Sequence, residues 1–141
     1  MQTSAVFAET HEIKIYSKLP DNKKMRNLFY PTFLKVKAGD TVKFVTVDKG
    51  HNTESIDGMI PEGAIKWKSK FNKDFEIKLD VPGVYGYKCT PHYAMAMIGL
   101  ILVEGEGWEK NLETAKKVKQ FGRSKKKFKE LFAELDKSVK K

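Results

Sequence analysis

Much of the chain alternates apolar and polar residues with a period of two, the pattern of strands that bury one face. The alternating apolar positions are Ile13 and Ile15, Leu34 and Val36, Val42 and Phe44, and Phe75, Ile77 and Leu79. A later run, residues 98–103, is almost entirely apolar and predicts a strand in the middle of a sheet. The pattern therefore predicts β structure from about His11 to Val103.

Turn-forming sequences separate these runs. Gly, Pro, Asp and Asn cluster at residues 19–22, 38–40, 48–50 and 81–83. Short strands divided by such turns are typical of Greek-key sandwiches and barrels. We therefore expect residues 11–105 to form an all-β Greek-key sandwich or barrel.

The period changes after residue 107. Two stripes with helical spacing follow, and their members are Leu112, Ala115, Val118 and Phe121, then Phe128, Leu131, Phe132, Leu135 and Val139. Gly122 is expected to end the first helix and Ser124 to cap the second. Both stripes need an apolar surface to cover. We predict two amphipathic helices at 108–141, packed on the β region within one domain that spans 11–141.

Residues 1–10 are expected to be a flexible N-terminus. The segment Val6-Phe7-Ala8 ends in a small residue, as a signal-peptidase site does, but the charged and apolar regions that should precede such a site are missing. A signal-peptide remnant and an ordinary chain end both remain open.

Composition narrows the classes of site and partner. The 141 residues include one cysteine and three histidines, which excludes an internal disulfide framework and a four-thiolate zinc site. Apolar runs are too short to span a membrane.

The net charge of +9 is concentrated after residue 108, where 12 basic and 5 acidic residues give +7. This basic segment raises the possibility of a nucleic-acid partner. However, Phe121, Phe128 and Phe132 fall on the predicted buried stripes, so we expect solvated helices and no nucleic acid.

The residues with the most distinctive chemistry lie in one short segment, between two predicted strands. Cys89, His92, Met95 and Met97 bring a thiol, an imidazole and two thioethers within nine residues, and His51 follows a turn after the strand at 42–47. A thiolate, two imidazoles and a weak thioether are the ligands of a type 1 copper site. A buried structural cysteine is the commoner role for a lone Cys, but the combined spacing favours a metal site. An exchangeable copper or zinc carrier is the alternative metal function.

Five motifs give the chain a family resemblance. They are Gly39-Asp40-Thr41-Val42, Asp48-Lys49-Gly50-His51-Asn52, Gly58-Met59-Ile60-Pro61, Pro82-Gly83-Val84-Tyr85 and Cys89-Thr90-Pro91-His92-Tyr93. Together they resemble the pseudoazurins, small periplasmic blue copper proteins with the cupredoxin fold. The likeness covers residues 13–103 and continues into two C-terminal helices.

The resemblance implies a complete ligand set for one type 1 copper. It makes His51, Cys89 and His92 the equatorial ligands and Met97 the axial one, with Met95 as the rival because amicyanins place the methionine three residues after the loop histidine. It implies supporting roles around the site for Asn52, Thr90 and Pro91, with the Asn52 backbone N–H donating to the Cys89 sulfur. The family often has glycine at the positions of Ala94 and Ala96.

The resemblance also implies a function. We expect a monomeric, periplasmic one-electron carrier, not an enzyme, that passes electrons through His92 to copper nitrite reductase, a cytochrome or a similar redox protein. The expected docking residues are Met59, Pro61, Pro91, Ala94 and Ala96, with Lys49 and Lys88 beside them. A second copper site of the enzymatic kind is not expected, because only His11 would be left to build it.

Overall fold

The computed structural model describes residues 7–140, which form eight strands and two α-helices. The strands are β1 (Thr10–Leu19), β2 (Asn22–Tyr30), β3 (Phe33–Lys37), β4 (Asp40–Thr46), β5 (Glu54–Ser55), β6 (Phe75–Leu79), β7 (Gly83–Lys88) and β8 (Ile98–Glu104). The helices are α1 (Leu112–Lys117) and α2 (Ser124–Val139), and short 3-10 helices cover Thr90–Met95 and Trp108–Asn111.

The strands form two four-stranded sheets, in the orders β2-β1-β4-β6 and β3-β8-β7-β5. Each sheet contains one parallel pair, β1 with β4 and β3 with β8, and its other pairs are antiparallel. The apolar strand β8 lies between β3 and β7, as its composition predicts. The prediction of an all-β sandwich is confirmed.

The first layer of the core lies between the two sheets. Ile13, Ile15, Val42 and Phe44 all turn inward and are at most 1% exposed, as their alternation predicts. Around Tyr87 the core is aromatic, with the rings of Phe29, Phe44 and Trp67 within 4.8–6.3 Å of its ring. A Cβ at Gly99 would lie 2.1 Å from the Tyr87 hydroxyl, so only glycine leaves room for that side chain on the neighbouring strand.

A second apolar layer joins the helices to the β3-β8-β7-β5 sheet. Leu100 and Leu102 of β8 are fully buried in one cluster with Phe128, Leu131 and Leu135 of α2. The predicted stripe of α2 therefore covers the outer face of β8, and the packing of two C-terminal helices on the sandwich is confirmed.

The linker after α1 departs from the predicted pattern. The first helix ends at Lys117, because Val118 takes an extended conformation (φ −64°, ψ 128°), so the helix stops before Phe121 and Gly122. Phe121 is 54% exposed and Val139 is 37% exposed, which corrects their assignment to the buried stripes. Helical spacing of four apolar residues therefore predicted about one turn too many.

Two further boundaries differ from expectation. The pattern does not predict strand β2 as a separate element, since residues 22–26 are exposed and polar apart from Met25. Strand β1 begins at Thr10, and Glu9 is already hydrogen-bonded to Thr41 and Asp40. Residues 1–6, including Val6 of the signal-like segment, lie outside the described residues. Among the described residues, no helix combines the length and the apolar character that crossing a bilayer requires.

Candidate metal centre

Three of the four candidate ligands lie on one loop between adjacent strands. Cys89 follows the last residue of β7, the 3-10 helix carries His92, and Met97 precedes the first residue of β8. Because β7 and β8 are antiparallel neighbours, the loop returns on itself. We call residues 89–97 the ligand loop. The fourth candidate, His51, comes from the segment after β4 in the other sheet.

The side chains of His51, Cys89 and His92 converge, and they are the one such group of His, Cys, Asp or Glu among residues 7–140. The Cys89 Sγ lies 3.8 Å from His51 Nδ1 and 3.5 Å from His92 Nδ1, and the two Nδ1 atoms are 3.2 Å apart. A first-row metal ion bound about 2.0–2.1 Å from nitrogen and about 2.3 Å from sulfur places its ligands about 3.2–3.9 Å apart. The three donor atoms therefore fit around one metal ion.

Burial sets the protonation of the cluster. Burial lowers the pKa of His51, and the neighbouring His92 lowers it further, which favours the neutral imidazole that offers a lone pair. Burial raises the pKa of the Cys89 thiol, and the nearby backbone N–H groups of Asn52 and His92 partly oppose this shift. The His92 N–H donates to the Cys89 carbonyl at 3.2 Å, and the donation from the Asn52 N–H to the Cys89 sulfur stays a prediction.

Ser17, which no sequence motif marks, orients the His51 ring. Its hydroxyl lies 2.8 Å from His51 Nε2, and its backbone N–H donates to Asp48 at 2.7 Å. A partner on the remote nitrogen fixes which nitrogen faces the metal. The available signal was indirect: β1 runs parallel to β4, so Ser17 extends beyond the pair Ile15–Thr46 toward the His51 segment.

Asn52 joins the ligand loop to the His51 segment. Its side-chain oxygen accepts the Thr90 N–H at 2.8 Å, and its side-chain nitrogen donates to the Thr90 hydroxyl at 2.8 Å. The Thr90 hydroxyl donates in turn to Glu54 at 2.8 Å. Asn52 is 1% exposed, so these bonds are sheltered from water. Pro91, next to Thr90, has no backbone N–H and is exposed.

The two loop methionines have different surroundings. Met97 is fully buried, while Met95 is 50% exposed. The backbone of Met97 closes the loop, since its N–H donates to His92 O at 3.2 Å and its carbonyl accepts the Cys89 N–H at 3.0 Å. Burial beside Cys89 favours Met97 over Met95 as the thioether facing the metal.

Two of the expected docking residues are buried. Met59 is fully buried and Pro61 is buried, so their assignment to a docking surface is wrong. Met59 packs against Gly86, where a Cβ would meet its terminal methyl carbon at 2.6 Å.

Ala94 and Lys49 are exposed, and Ala96 is half-buried. Lys88 is only 24% exposed. Its ammonium lies 3.9 Å from a Glu54 carboxylate oxygen and 4.7 Å from the centroid of the Tyr93 ring, so it offers little free charge.

Comparisons with known proteins agree with this donor set. Residues 15–104 match the copper binding proteins of the plastocyanin/azurin family. A pseudoazurin of Paracoccus pantotrophus is 42% identical over 113 residues, which make up 80% of this chain and 74% of that protein.

Solved structures show the same relationship. Pseudoazurin from Methylobacterium extorquens AM1 has a TM-score of 0.81 at 38% identity, covering 89% of this chain and 98% of that one. Native pseudoazurin from Hyphomicrobium denitrificans has a TM-score of 0.79 at 38% identity, with coverage of 89% and 97%. The cofactor of such a donor set is copper. The chain belongs to the copper-binding plastocyanin/azurin family and, within it, to the pseudoazurins.

Proposed function

We propose that this protein is a one-electron carrier with a type 1 copper held by His51, Cys89 and His92 and weakly by Met97. The observation that supports this most is the mutual approach of two Nδ1 atoms and one Sγ within 3.8 Å. Bound copper would supply the Cu(II)/Cu(I) couple. Two imidazoles, one thiolate and a distant thioether suit both oxidation states.

The protein's own contribution is to hold the ligand atoms in fixed positions. Ser17 fixes the His51 ring, and Asn52 ties the His51 segment to the ligand loop. Both ligand segments leave paired strands of a packed sandwich. A donor set held in this way changes little when its charge changes, so the reorganisation that slows electron transfer stays small.

His92 is the proposed point of exit for the electron. His51 is 2% exposed and Cys89 is fully buried, whereas His92 is half-buried and reaches the surface. Beside it, Pro91, Ala94 and Met95 are exposed. This small apolar face can bring a partner close to the imidazole without strong binding.

The proposed partner is an acidic redox protein, such as copper nitrite reductase or a cytochrome, met transiently by a monomer in the periplasm. The resemblance to pseudoazurins supports this choice. The net charge of +9 favours approach to an acidic surface. Lys49, which is exposed beside His51, contributes to that field.

Two other functions fit the structure less well. An exchangeable metal carrier needs an accessible thiolate, but Cys89 is fully buried. A nucleic-acid interface needs several exposed stacking rings, but Phe128 and Phe132 are 2% and 8% exposed, and the exposed ring of Phe121 packs edge-on against Tyr93.

An optical spectrum with Cu(II), then with ascorbate, tests the proposal. We expect an intense band in the red with a companion in the blue, both bleached by the reductant. Cys89→Ser should lose these bands, because they arise from the thiolate. His11→Gln, which changes the histidine outside the cluster, is the matched control and should keep them. A pale wild-type spectrum, or a coloured Cys89→Ser, would overturn the proposal.

A further inference from the structure

The segment between α1 and α2 holds one side of the ligand loop. We call residues 118–123 the linker. Its Arg123 N–H donates to Ala94 O at 2.9 Å, and the Ser124 hydroxyl at the start of α2 donates to Tyr93 O. Ser124 is fully buried, and its hydroxyl makes this contact instead of capping α2, so the predicted cap role of Ser124 is wrong.

Side chains extend the same contact. The Tyr93 hydroxyl donates to Gln120, and the Tyr93 ring meets Phe121 edge-on with centroids 5.7 Å apart. The side-chain amide of Gln120 points in turn at the Met59 sulfur, 3.2 Å away. The linker is therefore fastened both to the ligand loop and to the core.

The part of the ligand loop that the linker contacts contains a residue with an unfavourable backbone conformation. Ala96, between His92 and Met97, has a φ of 68°, a left-handed conformation that a residue with a Cβ adopts reluctantly. Its N–H donates to Tyr93 O, the carbonyl that Ser124 also contacts. Such a conformation persists only where surrounding contacts enforce it.

The linker approaches the loop as closely as its backbone allows. A Cβ added at Gly122 would lie 2.4 Å from Ala94 O and 3.1 Å from Ala94 Cβ. The Gly122 φ is 54°. Glycine is needed here mainly because the linker backbone lies against the loop backbone.

We propose that the linker and Ser124 position the ligand loop, with Ser124 as the main positioning residue, and so fix the spacing between His92 and Met97. The proposal rests on the proposed copper function for its spectroscopic consequences, but the restraint acts in the metal-free chain as well. Ser124 works through the Tyr93 carbonyl and touches no ligand atom.

Ser124→Ala tests the restraint first without metal. Loss of one hydrogen bond should speed amide hydrogen exchange at Ala96 and Met97 about fivefold. The matched control is Ser138→Ala, which removes a hydroxyl that donates to Leu135 O within the same helix and away from the loop. It should leave those two amides unchanged.

The copper form supplies a readout that a purely structural role would not move. Ser124→Ala should change the intensity ratio of the red and blue bands and shift the reduction potential, because the spacing between His92 and Met97 relaxes. Ser138→Ala should match the wild type in both. A Ser124→Ala variant that melts earlier but keeps the wild-type exchange, band ratio and potential would overturn the proposal.

Gly122→Ala tests the same contact from the linker side. It should move the loop and change the band ratio, since the new Cβ cannot fit against Ala94 O. Gly63→Ala is the control, because Gly63 also has a positive φ (87°) but no atom within 4 Å of an added Cβ. If Gly122→Ala and Gly63→Ala give the same spectrum as the wild type, the linker does not position the loop.

Failure of this proposal is distinguishable from failure of the proposed function. A wild-type protein without the intense bands contradicts the copper function, whatever the exchange data show. A wild type with the bands, together with an unaltered Ser124→Ala, contradicts only the positioning role.

Discussion

Asp40 is a buried acid that fastens the start of β1 to β4. Its carboxylate accepts the N–H groups of Glu9 at 2.9 Å and Lys37 at 3.0 Å, and it lies 2.9 Å from His11 Nε2. Burial by itself would raise the pKa of Asp40, but the two backbone donors and His11 together outweigh it and lower the pKa.

Asp40→Asn should therefore destabilise the fold in a pH-dependent way. The folded pKa lies below the unfolded one, so the carboxylate stabilises the fold above pH ~4 and loses that effect as the pH falls further. We expect a loss of about 1–3 kcal/mol at pH 7 that shrinks at pH 3. Urea unfolding of the metal-free protein at both pH values measures it.

The control for this variant is Asp57→Asn, since the Asp57 side chain is 83% exposed and pairs only with exposed Lys66. It should change stability little at either pH. Equal losses for Asp40→Asn at pH 7 and pH 3 would show that the charge of Asp40 is not what stabilises the start of β1.

At the scale of one element, substitutions in the ligand loop test which of its two methionines is the copper ligand. Met97→Gln should keep copper and lower the reduction potential, because an amide oxygen favours Cu(II) more than a thioether does. We expect a drop of at least about 60 mV, a tenfold change in a one-electron equilibrium. Voltammetry of the purified copper protein measures it.

Met95→Gln is the matched control, with the same substitution two residues earlier on an exposed side chain. Its potential should stay within a few millivolts of the wild type's. The opposite result, a large drop for Met95→Gln and none for Met97→Gln, would give the axial role to Met95.

The elements differ in how far their sequences predict them. Apolar–polar alternation predicted β1, β3, β4 and β6 because each strand has one face in the core. The spacing of the ligating side chains predicted the ligand loop because three of them lie within nine residues. Strand β2 was not predicted because residues 22–26 are exposed, so no alternation marks them. The end of α1 was predicted too late because Phe121 keeps helical spacing, although it packs on Tyr93 of the ligand loop. Ser17 and Ser124 act through tertiary contacts that carry no local signal.

At the scale of the whole molecule, charge should govern encounter rates. The chain carries 27 basic and 18 acidic residues. Oxidation of the reduced copper protein by an anionic cyanoferrate(III) complex should slow several-fold as salt rises from 10 to about 500 mM, because screening weakens the attraction. Stopped-flow absorbance of the red band follows the reaction.

A cationic cobalt(III) complex supplies the comparison, and its reaction should accelerate over the same range of salt. Rates that are independent of salt for both reagents would mean that the surplus charge lies too far from His92 to affect electron transfer.

The parallel pairing of β3 with β8 also determines when the metal centre can exist. Phe33 pairs with Leu100, so the second sheet closes only after nearly the whole sandwich sequence is available. The ligand loop connects β7 and β8, and His51 lies between β4 of the first sheet and β5 of the second, so the two halves of the site meet only when both sheets have formed. Such long-range contacts form late, after the entropy of closing large loops has been lost. An incompletely folded chain therefore lacks the convergence of His51 with Cys89 and His92, and we expect the complete donor set to form only after both sheets have closed.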